Sequence, residues 1–103
     1  MPGEQARRTA AKLLADDYAG RILSATYKSP RSIQQLSRLC DIPIAVAYRR
    51  VALMERLGLV RCVREDESYR GKKVKYYSCA VRSLELSFKN GEFSASLDPL
   101  RPE

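Results

Sequence analysis

Histidine and tryptophan are absent from this 103-residue chain, and cysteine is limited to three. Without histidine, a serine or cysteine nucleophile lacks its usual base, and a common metal ligand is missing as well. Cys40, Cys62 and Cys79 are odd in number and widely spaced, which fits reduced thiols better than a disulfide framework. If Cys62 and Cys79 fall on partner strands, a bridge between them is the alternative. No apolar run approaches the ~18 residues of a membrane span, and residues 1–14 hold no signal-peptide apolar block. The expectation is therefore a cytoplasmic protein. Dinucleotide-binding glycines are missing, and Gly71-Lys72-Lys73 lacks both the spacing and the hydroxyl of a phosphate loop. Asp16-Asp17 and Glu65-Asp66-Glu67 are runs of acids, yet sequence neighbours seldom converge on one metal. No catalytic residue, metal or cofactor is expected, and the chain is not read as an enzyme.

What it has in excess is positive charge. Lysine and arginine outnumber the acids 19 to 12, a net charge of +7. Such a field draws polyanions, with nucleic acid first and an anionic membrane surface second. Charge alone is a weak signal, since many small basic proteins bind nothing acidic. The length suits one domain with one modest core.

Apolar positions between Arg7 and Tyr27 recur at helical spacing, interrupted at Asp16-Asp17, whose carboxylates favour a cap. A short lead-in helix and a main helix starting near Asp17 are expected, ending at Ser29-Pro30. Ser32 and Gln35 have the form of a capping box, and Ile33, Leu36 and Leu39 after them read as core. A turn at Asp41-Ile42-Pro43 follows, with Pro43 in the first turn of a third helix, residues 43–57. On that helix Ala47, Val51 and Met54 form the inward stripe, leaving Tyr48, Arg49 and Ala52 outward. Gly58 stops it. Residues 60–81 then read as two strands, with Glu65 to Ser68 a polar loop and Tyr69 to Lys73 a cationic turn in which Gly71 takes positive φ. Helix, turn, helix and basic hairpin make the layout of a winged helix-turn-helix, an α+β fold.

Beyond it, Leu84, Leu86 and Phe88 alternate with polar residues, Asn90-Gly91 follows, and Phe93, Ala95 and Leu97 alternate again. Asn-Gly between alternating runs predicts a type I′ hairpin pairing Phe88 with Phe93, Leu86 with Ala95 and Leu84 with Leu97. A two-stranded ribbon with one apolar face is unstable alone, so that face is expected to pack on the helical body or on a second chain. The expected organisation is a winged-helix unit over 1–81, a hairpin over 82–98 and a tail over 99–103, with fraying from Asp98.

These residues resemble the ArsR-like winged-helix regulators, especially small archaeal members. The similarity runs from about Leu13 to Tyr77 and is carried by Leu13-Leu-Ala-Asp16, Arg21-Ile22-Leu23, Leu36-Ser-Arg-Leu39, Ile42-Pro-Ile-Ala45, Tyr48-Arg-Arg50 and Leu57-Gly-Leu-Val60. The resemblance implies a homodimeric, double-stranded-DNA-binding transcription regulator whose third helix reads bases. It departs from the metal-sensing members, whose Cys-x-Cys pair would fall near Ser32 and Gln34. Nor is the C-terminal hairpin the usual dimer helix of that family.

On such a fold the groove-facing residues would be Ile44, Ala45, Tyr48 and Arg49, with Ala52 a turn further along. Arg49 suits guanine O6 and N7; Ile44 and Ala45 suit thymine methyls. Tyr48 has two readings, a DNA contact or a ring packed beside the helix pair. Arg50 is equally a phosphate contact or a surface ion-pair partner. Arg70, Lys72 and Lys73 would reach the backbone from the wing, or form only a solvated turn. Arg31 and Ser32 at a helix start could hold a phosphate, although Ser32 is at least as well explained as a cap. Leu84, Leu86, Phe88, Phe93 and Leu97 form the packing or dimer face. Two other readings stay open: a winged helix used as a protein-interaction module, which the apolar Ile44-Ala45-Val46 favours, and structured RNA, for which no stacking platform is evident.

Overall fold

The computed structural model describes residues 12–13, 16–68 and 70–100. Of the lead-in helix expected between Arg7 and Asp16, Lys12 and Leu13 are described and helical, with Leu13 buried in the core; its other residues, Tyr69 of the turn and residues 101–103 of the tail lie outside the described residues.

The first full helix, α1, runs Asp17–Lys28, and the Asp16 carboxylate accepts from the Tyr18 N–H at 3.0 Å to cap it. Ala19, Ile22 and Thr26 are its buried residues. Thr26 sits in the core without penalty because its hydroxyl donates to the Ile22 carbonyl at 2.7 Å. Pro30 forces Ser29 into extended backbone, which ends the helix.

Helix α2, Ile33–Leu39, starts on the expected capping box. Ser32 Oγ accepts from the Gln35 N–H at 3.1 Å, and Gln35 Oε1 accepts from the Ser32 N–H at 2.9 Å. Ile33 and Leu36 are buried, but Leu39 is 59% exposed, against the expectation that it is core. The helix has only seven residues, and Leu39 ends it where the chain already turns away. In that turn Asp41 takes φ 54°, and the Ile42 N–H donates to the Ser37 carbonyl at 2.9 Å.

Helix α3 spans Ile44–Arg56, so Pro43 occupies the cap position, one residue before the first turn expected for it. Ala47, Val51 and Met54 are buried as the 4,3 spacing requires. Its end is a Schellman motif, with Leu59 N–H donating to Met54 O and Gly58 N–H to Glu55 O at 2.9 and 3.1 Å. Gly58 at φ 78° supplies the left-handed residue this needs.

Strands β1 (Val60–Glu67) and β2 (Lys73–Cys79) form an antiparallel wing, with a bulge between Cys62 and Arg64. Glu65 to Glu67 belong to β1, not to a loop. Pairing sets Glu65 opposite Lys75 and Glu67 opposite Lys73, so cross-strand charges compensate the acidic run. Gly71 takes φ 77° in the turn, as expected. A two-bond bridge between Arg31 and Tyr77 (2.9 and 2.8 Å) ties the wing to the start of α2. Cys62 and Cys79 do lie on partner strands, but two residues out of register, and all three cysteines are free thiols.

Strands β3 (Val81–Lys89) and β4 (Glu92–Pro99) form a second antiparallel hairpin in the anticipated register, turned by Asn90 and Gly91 at φ 53° and 79°. Asp98 and Pro99 are paired in β4 instead of frayed, and Leu100 N–H still donates to Ala80 O at 2.8 Å. Among the described residues the ribbon joins the body at its base, through buried Val81 and half-buried Leu84. The core itself is helical and centred on Ile22, Leu36, Val51 and Met54, with Leu59 and Val60 closing it from β1.

Candidate nucleic-acid interface

The burial pattern of α3 fixes what it can present. With 47, 51 and 54 inward, the opposite side carries Ala45, Arg49, Ala52 and Arg56, spaced four, three and four apart and all exposed. Small residues alternate with arginines along this stripe, so each guanidinium can extend without a neighbouring bulk in its way. Ile44, 44% exposed, begins the helix on the flank of the stripe.

Tyr48 occupies the same flank as Ile44, one turn further along. It is 49% exposed, and its hydroxyl accepts from Gln34 Nε2 at 3.3 Å, so the ring leans towards α2 while keeping one face in water. That placement combines features of both readings of Tyr48. Gln34, which sequence reasoning passed over, is fixed here by the same contact.

Arg50 is placed elsewhere. Its guanidinium grips the carboxylate of Asp16, and the pair is only partly exposed. Ser32 is likewise engaged: it is 4% exposed, and both its hydroxyl and its N–H serve the capping box. Arg31 is half-buried, with its backbone bridged to Tyr77 and its Nε donating to Ala25 O at 3.4 Å.

The wing contributes exposed cations at its turn and on β2. Lys73 reaches Glu65 at 3.4 Å, and Arg70 and Lys72 are exposed in the turn. Arg64 stacks on the Tyr76 ring, 4.1 Å from its centroid, and also pairs with Asp66 at 3.2 Å. Arg61 and Lys75 add exposed charge. Arg56, Arg61, Arg64 and Lys75 were not singled out from sequence; for Arg56 the spacing from Arg49 through Ala52 was a usable signal.

Between α3 and the wing lies a cleft of about 320 Å³, lined by Tyr48, Ala52 and Glu55 on one side and Lys73, Lys75 and Tyr77 on the other. Burial, reinforced by the Glu55 carboxylate, pushes the Tyr77 phenol above its ordinary pKa and keeps it protonated. Among the described residues no cluster of histidine, cysteine or acidic side chains could hold a metal, and no helix is long and apolar enough to cross a membrane.

Among the described residues, three full helices, a tight turn between the second and third, and an antiparallel hairpin behind them decide the architecture. The chain is a winged helix-turn-helix with an added C-terminal hairpin. Comparison with protein families agrees: residues 14–63 match the model of a helix-turn-helix domain. The match takes in all three helices and the first residues of β1, and it ends before the wing turn. No curated protein shows significant similarity to the chain. A helix-turn-helix domain supports DNA binding in general terms.

Proposed function

We propose that this protein is a sequence-specific regulator of transcription, of the ArsR-like winged-helix kind, that binds double-stranded DNA in the cytoplasm. Helix α3 enters the major groove and the wing lies along the adjacent backbone. The observation that carries this reading is the exposed Ala45–Arg49–Ala52–Arg56 stripe, flanked by Ile44 and Tyr48 and set beside a cationic hairpin. Arg49 is the residue best placed to specify a base, as a two-fold donor to guanine O6 and N7. Ile44 and Ala45 serve as methyl contacts. Lys72, Lys73 and Arg70 act on phosphates and position the helix without reading sequence. Arg31 is a weaker phosphate candidate, because part of its side chain is held to the body. Two copies side by side would read two half-sites about one helical turn apart. The reading involves no metal, cofactor or catalytic step.

Selection from a randomised duplex pool tests it. An enriched two-fold motif, lost at particular bases with Arg49→Ala and weakened evenly with Lys72→Ala/Lys73→Ala, is the expected result. Failure to enrich any motif sinks the proposal.

A second reading, a winged helix used to bind another protein, is favoured by the exposed Ile44 and Ala45 at the head of α3. Salt separates the two. Phosphate contacts make log affinity fall against log salt by about 0.9 per contact, whereas an apolar protein contact barely responds.

A further inference from the structure

The β3–β4 ribbon leaves its apolar face in water. Phe88 and Phe93 are 60% and 71% exposed, with ring centroids 4.7 Å apart at the tip, and Leu86 and Leu97 are 42% and 38% exposed. Together they present on the order of 400 Å² of apolar surface, the size of the largest patch on an ordinary monomer, which is often functional. The opposite face is polar, with Ser87 and Ser94 hydroxyls bonded at 2.8 Å. Tip exposure is a consequence of reach. From Leu84, the last ribbon residue packed against the body on this strand, Phe88 is four residues on, or about 13 Å at the rise of a strand.

At the ribbon's base the body carries an apolar groove of about 440 Å³ between α1 and β3, lined by Gly20, Leu23, Tyr27, Val81 and Leu84 among others. Tyr27 on its rim is 60% exposed. The molecule's own tip cannot bend back over that distance to fill it.

We propose that the two features fill each other across a two-fold axis: the Phe88–Phe93 tip of one copy seats in the Leu23–Tyr27–Leu84 groove of a second copy, and the reverse. Each copy owns one tip and one groove, so a single two-fold rotation satisfies both and leaves no open end. Charge favours a second copy at this location. The chain carries +7 overall, yet the ribbon sets Arg82 and Lys89 against Glu85, Glu92 and Asp98, a local charge of −1. Two such copies meet here without the repulsion that their helical bodies would impose. The exposed apolar face alone supplies about half of the roughly 800 Å² per partner that a stable interface buries. The arrangement also removes the instability of a bare two-stranded ribbon.

Sedimentation equilibrium of the full chain without DNA tests the pairing, so its outcome is independent of whether the protein binds DNA. A dimer at micromolar concentration is expected. Phe93→Glu and Tyr27→Lys should each give a monomer with an unchanged circular dichroism spectrum, since both side chains are exposed. The double variant places Glu against Lys across the interface and should recover dimer, at least tenfold tighter than either single variant. A monomeric parent overturns the proposal, as do single variants that stay dimeric. Loss of dimer in both single variants with no recovery in the double variant overturns the seating of tip in groove.

Discussion

Asp16 and Arg50 form an ion pair that joins the cap of α1 to the middle of α3. One carboxylate oxygen of Asp16 accepts from the Tyr18 N–H, and the other binds the Arg50 guanidinium 34 residues away. A single side chain therefore fixes where α1 begins and how α3 lies against it. Arg50 is bound to the body, while its neighbour Arg49 is exposed; the two adjacent arginines meet different surroundings because they lie about 100° apart on the helix.

Loss of this pair should be felt as stability. Asp16→Ala removes both the cap and the partner of Arg50, at a cost of about 1–3 kcal/mol. Urea unfolding measures it. Arg50→Ala should lower the midpoint as well, yet leave the salt slope of DNA binding within error of the parent. A reduced slope in Arg50→Ala would return that residue to the phosphate contacts.

Ser32→Ala should cost about 1 kcal/mol through the lost capping box. Because Ser32 is buried and engaged, the same change should leave DNA affinity nearly unaltered at a temperature where the protein is fully folded. Isothermal titration beside a thermal melt distinguishes the two effects.

Lys72→Ala/Lys73→Ala should weaken binding to every duplex by a similar factor and reduce the log–log salt slope by about 1–2. The rank order of sequences in a competition assay should stay the same. A change in rank order would mean that the wing reads bases.

Stability should fall on the alkaline side. Burial pushes the Cys40 thiol above its ordinary value of 9.0, with Arg21 and Arg31 opposing only in part, and it pushes the Tyr77 phenol above 10.0. Both groups bind their protons more tightly when folded. Their contribution is complete below the unfolded-state values and is lost as pH rises past them. Chemical denaturation from pH 7 upward should show a declining midpoint above about pH 9, and Cys40→Ala should make that decline shallower.

Where local rules decide the structure, the sequence could be read closely. Ser32 and Gln35 announce their own capping box, and Asn90-Gly91 sets a hairpin register down to the Phe88–Phe93 pair. Three features depended on distant partners and were not legible. Leu39 has helical core spacing but no body over it. Glu65 to Glu67 look like a loop until Lys73 and Lys75 are brought opposite. Arg50 has two readings in sequence, and only the approach of Asp16 separates them. The outward stripe of α3 was legible as far as Ala52; Arg56, one step further, was missed although it keeps the same spacing.

Base-by-base substitution in the selected duplex, titrated with the parent chain and with Arg49→Ala, tests the central claim most directly. If α3 reads the major groove through Arg49, replacing one particular guanine pair weakens the parent by about 1–3 kcal/mol and leaves Arg49→Ala indifferent at that position. Equal sensitivity of both proteins at every base pair would contradict the account.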